Sequence, residues 1–141
     1  MAVVPIYHLF VYGSLRKGFR SPAYEYISQF FYFVADARVR GKLFDMGTYP
    51  GGVPAEDESF IVGELYCIKD ESEFSWAIGQ LDDYEGVSVE SDEVQLYRRE
   101  VTDVFIQDEI IPGWIYWFNG DVTERPLIAS GDLLEYLHEK K

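Results

Sequence analysis

The sequence predicts a single α+β domain over residues 1–141, with a mixed, largely antiparallel, barrel-like sheet flanked by short helices. Strand-like and helix-like segments follow one another without the regular strand–helix–strand alternation of a parallel sheet, which favours this class. Aromatic residues make up 17% of the chain and are abundant in the strand-like segments, as expected for a sheet that curls towards a barrel. With 48% hydrophobic residues, the chain has enough apolar material for one continuous core.

The first half of the chain alternates between extended and helical patterns. Residues 8–12 are short, apolar and β-branched or aromatic, and a glycine follows them, so they predict a buried strand. Ser21 followed by Pro22 predicts a capped helix that runs to about residue 29. Residues 31–44 predict another strand, whereas residues 45–52 are dense in turn residues and predict an ordered surface loop.

The second half of the chain predicts three more strands and two more helices, which cover residues 60–68, 70–83, 96–106, 110–118 and 133–137. Asp70 or Ser72 caps the first of these helices, whose apolar residues recur at helical spacing until it ends near Asp83. Only three residues, 107–109, separate the last two strands, and this spacing suits a hairpin.

The charge of the chain excludes several classes of partner. Twenty-five acidic residues against twelve basic ones give a formal charge of −13, which opposes binding to a phosphate backbone or to anionic lipid. No apolar run approaches the roughly 20 residues that span a bilayer, and the first residues lack the pattern of a secretory leader. Cys67 is the single cysteine, so no intrachain disulfide can form. We therefore expect a cytoplasmic protein that binds neither nucleic acid nor membranes.

The sequence contains no pattern typical of a metal or cofactor site. The two histidines, His8 and His138, lie at opposite ends of the chain, and no cysteine or carboxylate stands at ligand spacing around them. The glycine spacing of a nucleotide-binding P-loop is absent, and Ser14 lacks the second flanking glycine of a nucleophile elbow. A serine triad would need Ser14 and one of the histidines, and no motif supports that combination. We expect a site that uses no metal and no cofactor.

The first candidate site is the turn Tyr12-Gly13-Ser14-Leu15, which follows the first predicted strand. Successive backbone N–H groups in a tight turn of this kind can point together into a concavity that suits a carboxylate. The same residue types also form ordinary turns. Taken alone, the turn leaves both an anion-binding and a purely structural interpretation open.

The second candidate site is the acidic segment of residues 81–86, at the end of a predicted helix. It sets Glu85 beside Tyr84 where the helix gives way to a glycine. Acidic residues at a helix C-terminus oppose the macrodipole, which indicates that something other than local stability favours them. In a chain with a charge of −13, a solvated acidic face is the alternative interpretation.

Six segments, in one order along the chain, connect these candidates. They are residues 11–16, 47–51, 81–86, 97–99, 114–116 and 130–132, with the sequences VYGSLR, GTYPG, LDDYEG, YRR, WIY and SGD. Together they resemble the γ-glutamyl cyclotransferase-like family, which includes γ-glutamylamine cyclotransferases, the BtrG-type deprotecting enzymes of aminoglycoside biosynthesis and the plant AIG2-like proteins. The resemblance extends from Leu9 to about Asp132 and implies the γ-glutamyl cyclotransferase-like (BtrG-like) fold.

The resemblance implies a cofactor-independent enzyme that cyclises a γ-glutamyl group to 5-oxoproline and releases an amine. Glu85 matches the family's catalytic glutamate, which moves the proton. The turn of residues 12–15 matches the segment whose backbone amides hold the α-carboxylate end of the substrate. Tyr116 matches a pocket wall or hydrogen-bond donor, while Tyr97 and Arg98 match framework positions.

Two other classes of function stay open at this point. A small-molecule binding or regulatory domain could keep the same fold without turnover, because a fold does not establish an activity. The presence of both Glu85 and the turn favours the enzyme over this alternative. An interaction module would instead present a large apolar surface patch outside any cleft. The released amine and the oligomeric state are not determined by the sequence.

Overall fold

The computed structural model of the chain describes residues 6–13, 22–46, 50–85 and 97–139, and at positions 22–24, 84, 85, 134, 138 and 139 it describes the backbone without the side chain. The strands in these ranges are β1 (His8–Val11), β2 (Phe31–Arg40), β3 (Lys42–Asp45), β4 (Pro50–Val53), β5 (Phe60–Ile68), β6 (Tyr97–Ile106) and β7 (Glu109–Phe118). The helices are α1 (Pro22–Phe30), α2 (Phe74–Glu85) and α3 (Leu133–Glu139), and a 3-10 turn at Glu71–Glu73 directly precedes α2.

Five of these strands close into a barrel in the order β1, β5, β2, β6 and β7. Neighbouring strands run antiparallel except β1 and β7, which meet in parallel at the pair Leu9 and Trp114 and so complete the circle. The strands β3 and β4 form a separate antiparallel pair. The prediction of an α+β fold with a mixed, largely antiparallel, barrel-like sheet is confirmed. The single domain over residues 1–141 stays a prediction.

The strands divide their side chains between two apolar clusters, because successive residues of a strand point to opposite faces of the sheet. The inner cluster takes side chains from all five barrel strands: Phe10, Ala37, Val39, Ile61, Leu65, Val104, Ile115 and Trp117. The outer cluster lies between the barrel and the helices α1 and α2: Leu9, Val11, Ile27, Tyr66, Ala77, Ile78, Leu81, Tyr97 and Tyr116. The outer cluster therefore joins α2 to β1 and β7, the elements that carry the candidate site residues.

The predicted helices are present, with small differences at their ends. Helix α1 begins at Pro22, and its predicted cap, Ser21, lies outside the described residues. Asp70 caps the 3-10 turn before α2 by accepting a hydrogen bond from the backbone N–H of Ser72. Helix α2 continues to Glu85 instead of ending near residue 83. In the described part of the chain, no helix is both long and apolar enough to cross a bilayer.

The region from residue 31 to residue 53 departs from the prediction in two places. The single strand predicted over residues 31–44 is two strands, β2 and β3, which separate at Gly41. A Cβ atom on Gly41 would lie 2.8 Å from the carbonyl oxygen of Val53, so a residue without a side chain is needed where the chain leaves the barrel. The surface loop predicted over residues 45–52 is wrong in its second half, because β4 pairs with β3 there. Residues 47–49 lie outside the described residues.

A Gly63→Ala substitution is expected to lower the free energy of unfolding by about 1–3 kcal/mol or more, because the barrel leaves no room for a methyl group. A Cβ atom at this position would lie 2.2 Å from the carbonyl oxygen of Val11 and 2.6 Å from Cζ of Phe10. Gly79 is the matched control, since a Cβ atom there meets nothing within 4 Å. Gly79→Ala should raise stability by about 0.5–1 kcal/mol, as at other helix-interior positions where a methyl group has room. Urea unfolding of both variants measures the difference, and equal effects would contradict the close approach of β1 to β5.

Candidate active site

Tyr12 connects the end of β1 to β7 of the barrel and to β4 of the separate β3–β4 pair. Its side chain is buried, and its hydroxyl donates a hydrogen bond to the backbone carbonyl of Tyr116 in β7. The same hydroxyl oxygen accepts a hydrogen bond from the backbone N–H of Gly52 in β4, at 3.3 Å. The position at which the predicted anion-binding turn begins is therefore held by three strands. Ser14 and Leu15, the second half of that turn, lie outside the described residues.

Glycines allow the β3–β4 pair to pack closely against this turn. A Cβ atom on Gly52 would lie 2.8 Å from Cζ of Tyr12, so the tyrosine ring lies directly against the glycine backbone. A Cβ atom on Gly13 would lie 3.1 Å from Cγ of Pro50. Residues 50–52 thus lie beside the first half of the turn.

The C-terminal part of α2 is anchored to the barrel by a buried acid. The Asp82 carboxylate accepts two hydrogen bonds from the Arg99 guanidinium of β6, from Nε to Oδ1 at 2.7 Å and from Nη2 to Oδ2 at 3.1 Å. The Tyr116 hydroxyl donates to the same Oδ1 atom at 2.8 Å. The side chains of Arg99 and Asp82 are only 21% and 11% exposed. A bidentate pair of this kind fixes orientation as well as distance.

Glu85 is the last residue of α2, three residues beyond Asp82. Residues three apart in a helix lie on the same face, so the backbone of α2 places position 85 one turn beyond the anchored acid. The side chain of Glu85 lies outside the described part of the structure. Its role as the catalytic residue stays a prediction.

One residue of β7 links the two predicted halves of the site. The Tyr116 backbone carbonyl accepts the hydrogen bond from Tyr12, and the Tyr116 hydroxyl donates to Asp82. The chain of contacts therefore runs from the start of the turn, through β7, to the last turn of the helix that ends in Glu85. Segments that are distant in sequence converge here, with Tyr12 packed in the inner cluster and Tyr116 in the outer one.

A second buried acid lies next to the end of β1. Glu64 of β5 is 2% exposed and is the strand partner of Val11, the residue immediately before Tyr12. Its Oε1 atom accepts a hydrogen bond from the Tyr66 hydroxyl at 2.9 Å. A buried carboxylate is costly unless it is hydrogen-bonded. Glu64 thus adds a buried carboxylate, held by Tyr66, next to the predicted turn.

Tyr97 and Arg98 make contacts within the scaffold. The Tyr97 hydroxyl donates to the backbone carbonyl of Pro50 at 2.7 Å, which joins β6 to β4. The Arg98 Nε atom donates to Glu100 at 2.9 Å, and both side chains are partly exposed. The framework roles expected for these two residues from the sequence stay predictions.

A separate cleft lies on another part of the barrel. Its volume is about 320 Å³, and residues of the β4–β5 connection, β2, β6 and β7 line it, including Arg40, Thr102 and Trp117. Trp117 belongs to the inner cluster, whereas its neighbour Tyr116 belongs to the outer one. Of the predicted site residues whose side chains or turn backbone the structure describes, Tyr12, Gly13 and Tyr116 do not line the cleft. Among the described residues, no group of three His, Cys, Asp or Glu side chains is arranged to hold a metal ion.

Sequence reasoning missed Asp82, Arg99 and Glu64. Asp82 follows the buried Ile78 by four residues, so helical spacing alone puts it on the apolar face of α2. Glu64 is a single charge within an otherwise apolar strand, a pattern that is typical of a buried, hydrogen-bonded acid. Arg99 carries no comparable signal, because its partner lies in a different element 17 residues away.

Known proteins share the sequence pattern and the fold of this chain. The family model described as "Gamma-glutamyl cyclotransferase, AIG2-like" matches residues 9–135. YkqA from Bacillus subtilis has a similar structure, with a TM-score of 0.69 and 30% identity over 96% of this chain and 43% of YkqA. The chain therefore spans less than half the length of that relative. None of the curated proteins matches the chain.

Two further solved structures share the fold. An AIG2-like protein from Mus musculus is 22% identical, with a TM-score of 0.65 over 90% of this chain and 88% of its own. A γ-glutamyl cyclotransferase is 16% identical, with a TM-score of 0.55 over 94% of this chain and 85% of its own. The family match extends from β1 into α3 and includes the turn, α2 and Tyr116. The resemblance inferred from the six sequence segments is confirmed, and the chain belongs to the γ-glutamyl cyclotransferase, AIG2-like family.

Proposed function

We propose that the chain is a cofactor-independent γ-glutamyl cyclotransferase, which converts a γ-glutamyl group to 5-oxoproline and releases an amine. The observation that carries this proposal is the hydrogen-bonded link from Tyr12 through Tyr116 to Asp82. It joins the turn predicted to hold the substrate to the helix that ends in Glu85. An acid and a cup of backbone donors are the two parts that this reaction needs.

In the proposed reaction, Glu85 takes a proton from the α-ammonium group of the substrate. The freed amine attacks the γ-carbonyl carbon and closes the five-membered ring. The bond between that carbon and the leaving nitrogen then breaks, and Glu85 returns its proton to the leaving nitrogen. The second proton that the ring nitrogen loses accompanies the released amine, which leaves as an ammonium ion at neutral pH. Atoms and charge therefore balance without a cofactor.

The turn supplies positioning in this proposal. Backbone N–H groups of residues 13–15 hold the α-carboxylate and keep the γ-glutamyl chain folded. Because the attack is intramolecular, correct positioning alone can supply several kcal/mol of the barrier. Tyr12, the first residue of the turn, is held by its contacts with Tyr116 and Gly52. Tyr116 forms the wall between the turn and α2.

The test is to incubate the purified protein with a panel of γ-glutamyl compounds and to detect 5-oxoproline by mass spectrometry. The panel contains γ-glutamyl amino acids, γ-glutamyl-ε-lysine, glutathione and acylated amines, which share the head group and differ in the amine released. The expected result is 5-oxoproline from at least one compound, together with the matching free amine. The proposal fails if no compound yields 5-oxoproline.

Calorimetry on the same panel identifies the alternative function. A compound that binds without forming 5-oxoproline would indicate a small-molecule binding domain of the same fold, since a fold can be kept without its activity. The cytoplasmic location and the lack of nucleic-acid binding that are expected from the sequence stay predictions.

A further inference from the structure

The last turn of α2 has an unfavourable charge for its position. Asp82, Asp83 and Glu85 are acidic residues near a helix C-terminus, where the macrodipole is itself negative, and no residue of that turn is basic. Arg99 supplies the missing cation from β6, through the bidentate bond to Asp82. The stability of this turn therefore depends on a residue from another element.

Arg99 is held firmly on the barrel side. Its guanidinium carbon lies 4.4 Å from the centre of the Trp114 ring, a stacking arrangement that favours the cation. The Trp114 indole N–H in turn donates to the backbone carbonyl of Ile6 at 2.9 Å. The cation is therefore fixed relative to the barrel, and the bond to Asp82 transmits that fixed position to the end of α2.

Stability alone does not account for a buried ion pair at this point. The cost of removing two charges from water offsets their attraction, so an apolar pair of similar volume is often as stable or more stable. Ala77, Ile78 and Leu81 show that the same helix packs apolar side chains against the barrel elsewhere. The ion pair differs from an apolar pair in two ways. Its bidentate geometry sets the orientation of the helix end, and its two opposite charges cancel one turn before position 85.

We propose that Asp82 and Arg99 are positioning residues that orient the last turn of α2 and balance the charge around Glu85; this inference rests on the proposed function. The pair is neutral as a unit, so it adds little net field at position 85. Loss of either partner leaves an unpaired charge on the helix face that position 85 shares. The two losses therefore have opposite electrostatic effects on Glu85, although both loosen the same turn.

Other ionisable groups lie on the elements that pack around α2, and substitutions of Asp82 or Arg99 leave these groups in place. On the elements packed around α2 they are Glu25 and Tyr26 of α1, Tyr7 and His8 at the start of β1 and Tyr12 after it, Glu64 and Tyr66 of β5, Tyr97 of β6 and Tyr116 of β7. Asp83 of α2 itself is exposed. Because these groups are the same in every variant, a difference between variants reports the charge that was changed.

The test compares the pH dependence of kcat/KM in Asp82→Asn and Arg99→Met. Glu85 must be ionised to accept a proton, so activity rises with pH through its pKa. Asp82→Asn leaves the Arg99 cation unpaired, and this cation stabilises the Glu85 carboxylate. The acid limb, which is the rising low-pH side of the kcat/KM profile, should therefore move to lower pH by about half a unit to one unit. Arg99→Met leaves an unpaired carboxylate, so the limb should move to higher pH by a similar amount. In both variants kcat should fall about ten- to a hundredfold, because the helix end is displaced.

Three controls accompany the two variants. Asp83→Asn removes the same charge from the exposed neighbour and should leave the limb almost in place, because solvent screens that position. The double variant Asp82→Asn/Arg99→Met has no unpaired charge and should return the limb to its original pH. Circular dichroism shows whether each variant is folded. If a single-substitution variant unfolds, the double variant can still be measured. NMR titration of a 13C-labelled Glu85 carboxyl, assigned with Glu85→Gln, measures the same shifts without any substrate.

The outcomes separate this inference from the proposed function. Opposite shifts of the acid limb, restored in the double variant, support it. Shifts in the same direction in the two single variants, or reduced activity with an unmoved limb in those single variants, overturn it, even if Glu85→Gln abolishes activity and so supports the proposed catalyst. Opposite shifts in the NMR titration of a protein that forms no 5-oxoproline would support the charge balance and reject the proposed function instead.

Discussion

Glu85→Gln is expected to lower kcat by at least about 10²–10⁴-fold, the range that general acid–base catalysis supplies. A glutamine amide cannot take a proton from the substrate ammonium at neutral pH, and it cannot return one to the leaving nitrogen. The side chain keeps its size, so KM should change little. The measurement is the rate of 5-oxoproline release at saturating substrate, with the substrate that the panel identifies.

Asp83→Asn is the matched control for this prediction. Asp83 lies in the same turn of α2, but its side chain is exposed and it forms no part of the proposed site. It should keep kcat within a few fold of the unmodified protein. A folded Glu85→Gln variant with unchanged kcat would remove Glu85 from the mechanism and leave the fold assignment intact.

Arg99→Met is expected to have the largest effect on stability, a loss of about 3–5 kcal/mol in the free energy of unfolding. Without the guanidinium, the Asp82 carboxylate keeps the hydrogen bond from the Tyr116 hydroxyl but loses both hydrogen bonds from Arg99. The buried charge then lacks the cation that compensates for its desolvation. Urea unfolding followed by circular dichroism measures the loss.

Arg98 provides a control one residue away. It pairs with Glu100 at a similar distance of 2.9 Å, but both side chains are more exposed than those of the Arg99 pair, at 36% and 49%. Arg98→Met should therefore cost at most about 1 kcal/mol, as exposed ion pairs contribute little. Similar losses for the two variants would show that burial does not set the strength of the Arg99 pair. A double variant, Asp82→Leu/Arg99→Met, should recover much of the loss, because it leaves no unpaired charge.

Local patterns were sufficient to predict most of the regular elements. The alternation of residues 60–68 predicts β5, and the helical spacing that leads to Leu81 predicts α2. The short connection at residues 107–109 predicts the β6–β7 hairpin, whose turn places Gln107 at a φ of 52°. These patterns are local because burial of one face of a helix or strand imposes a period on the sequence itself.

Pairing between distant segments could not be predicted in the same way. β4 contains Gly51 and Gly52, so it has no alternating side chains to identify it, and it becomes a strand only because β3 lies beside it. The barrel closes through the parallel contact of Leu9 with Trp114, which joins segments more than a hundred residues apart. No periodicity within either segment specifies that partner.

By itself, the sequence determined the family, the α+β class and the identity of the candidate residues, because ordered motifs and hydrophobic periods are written along the chain. Only the tertiary structure determined that Tyr116 joins the turn at Tyr12 to α2, and that Asp82 is a buried partner of Arg99 and not part of a solvated acidic face. The physical reason is that a carboxylate in a sequence has no defined environment. Its burial and its partner depend on which elements pack around it, and that packing exists only in the folded chain.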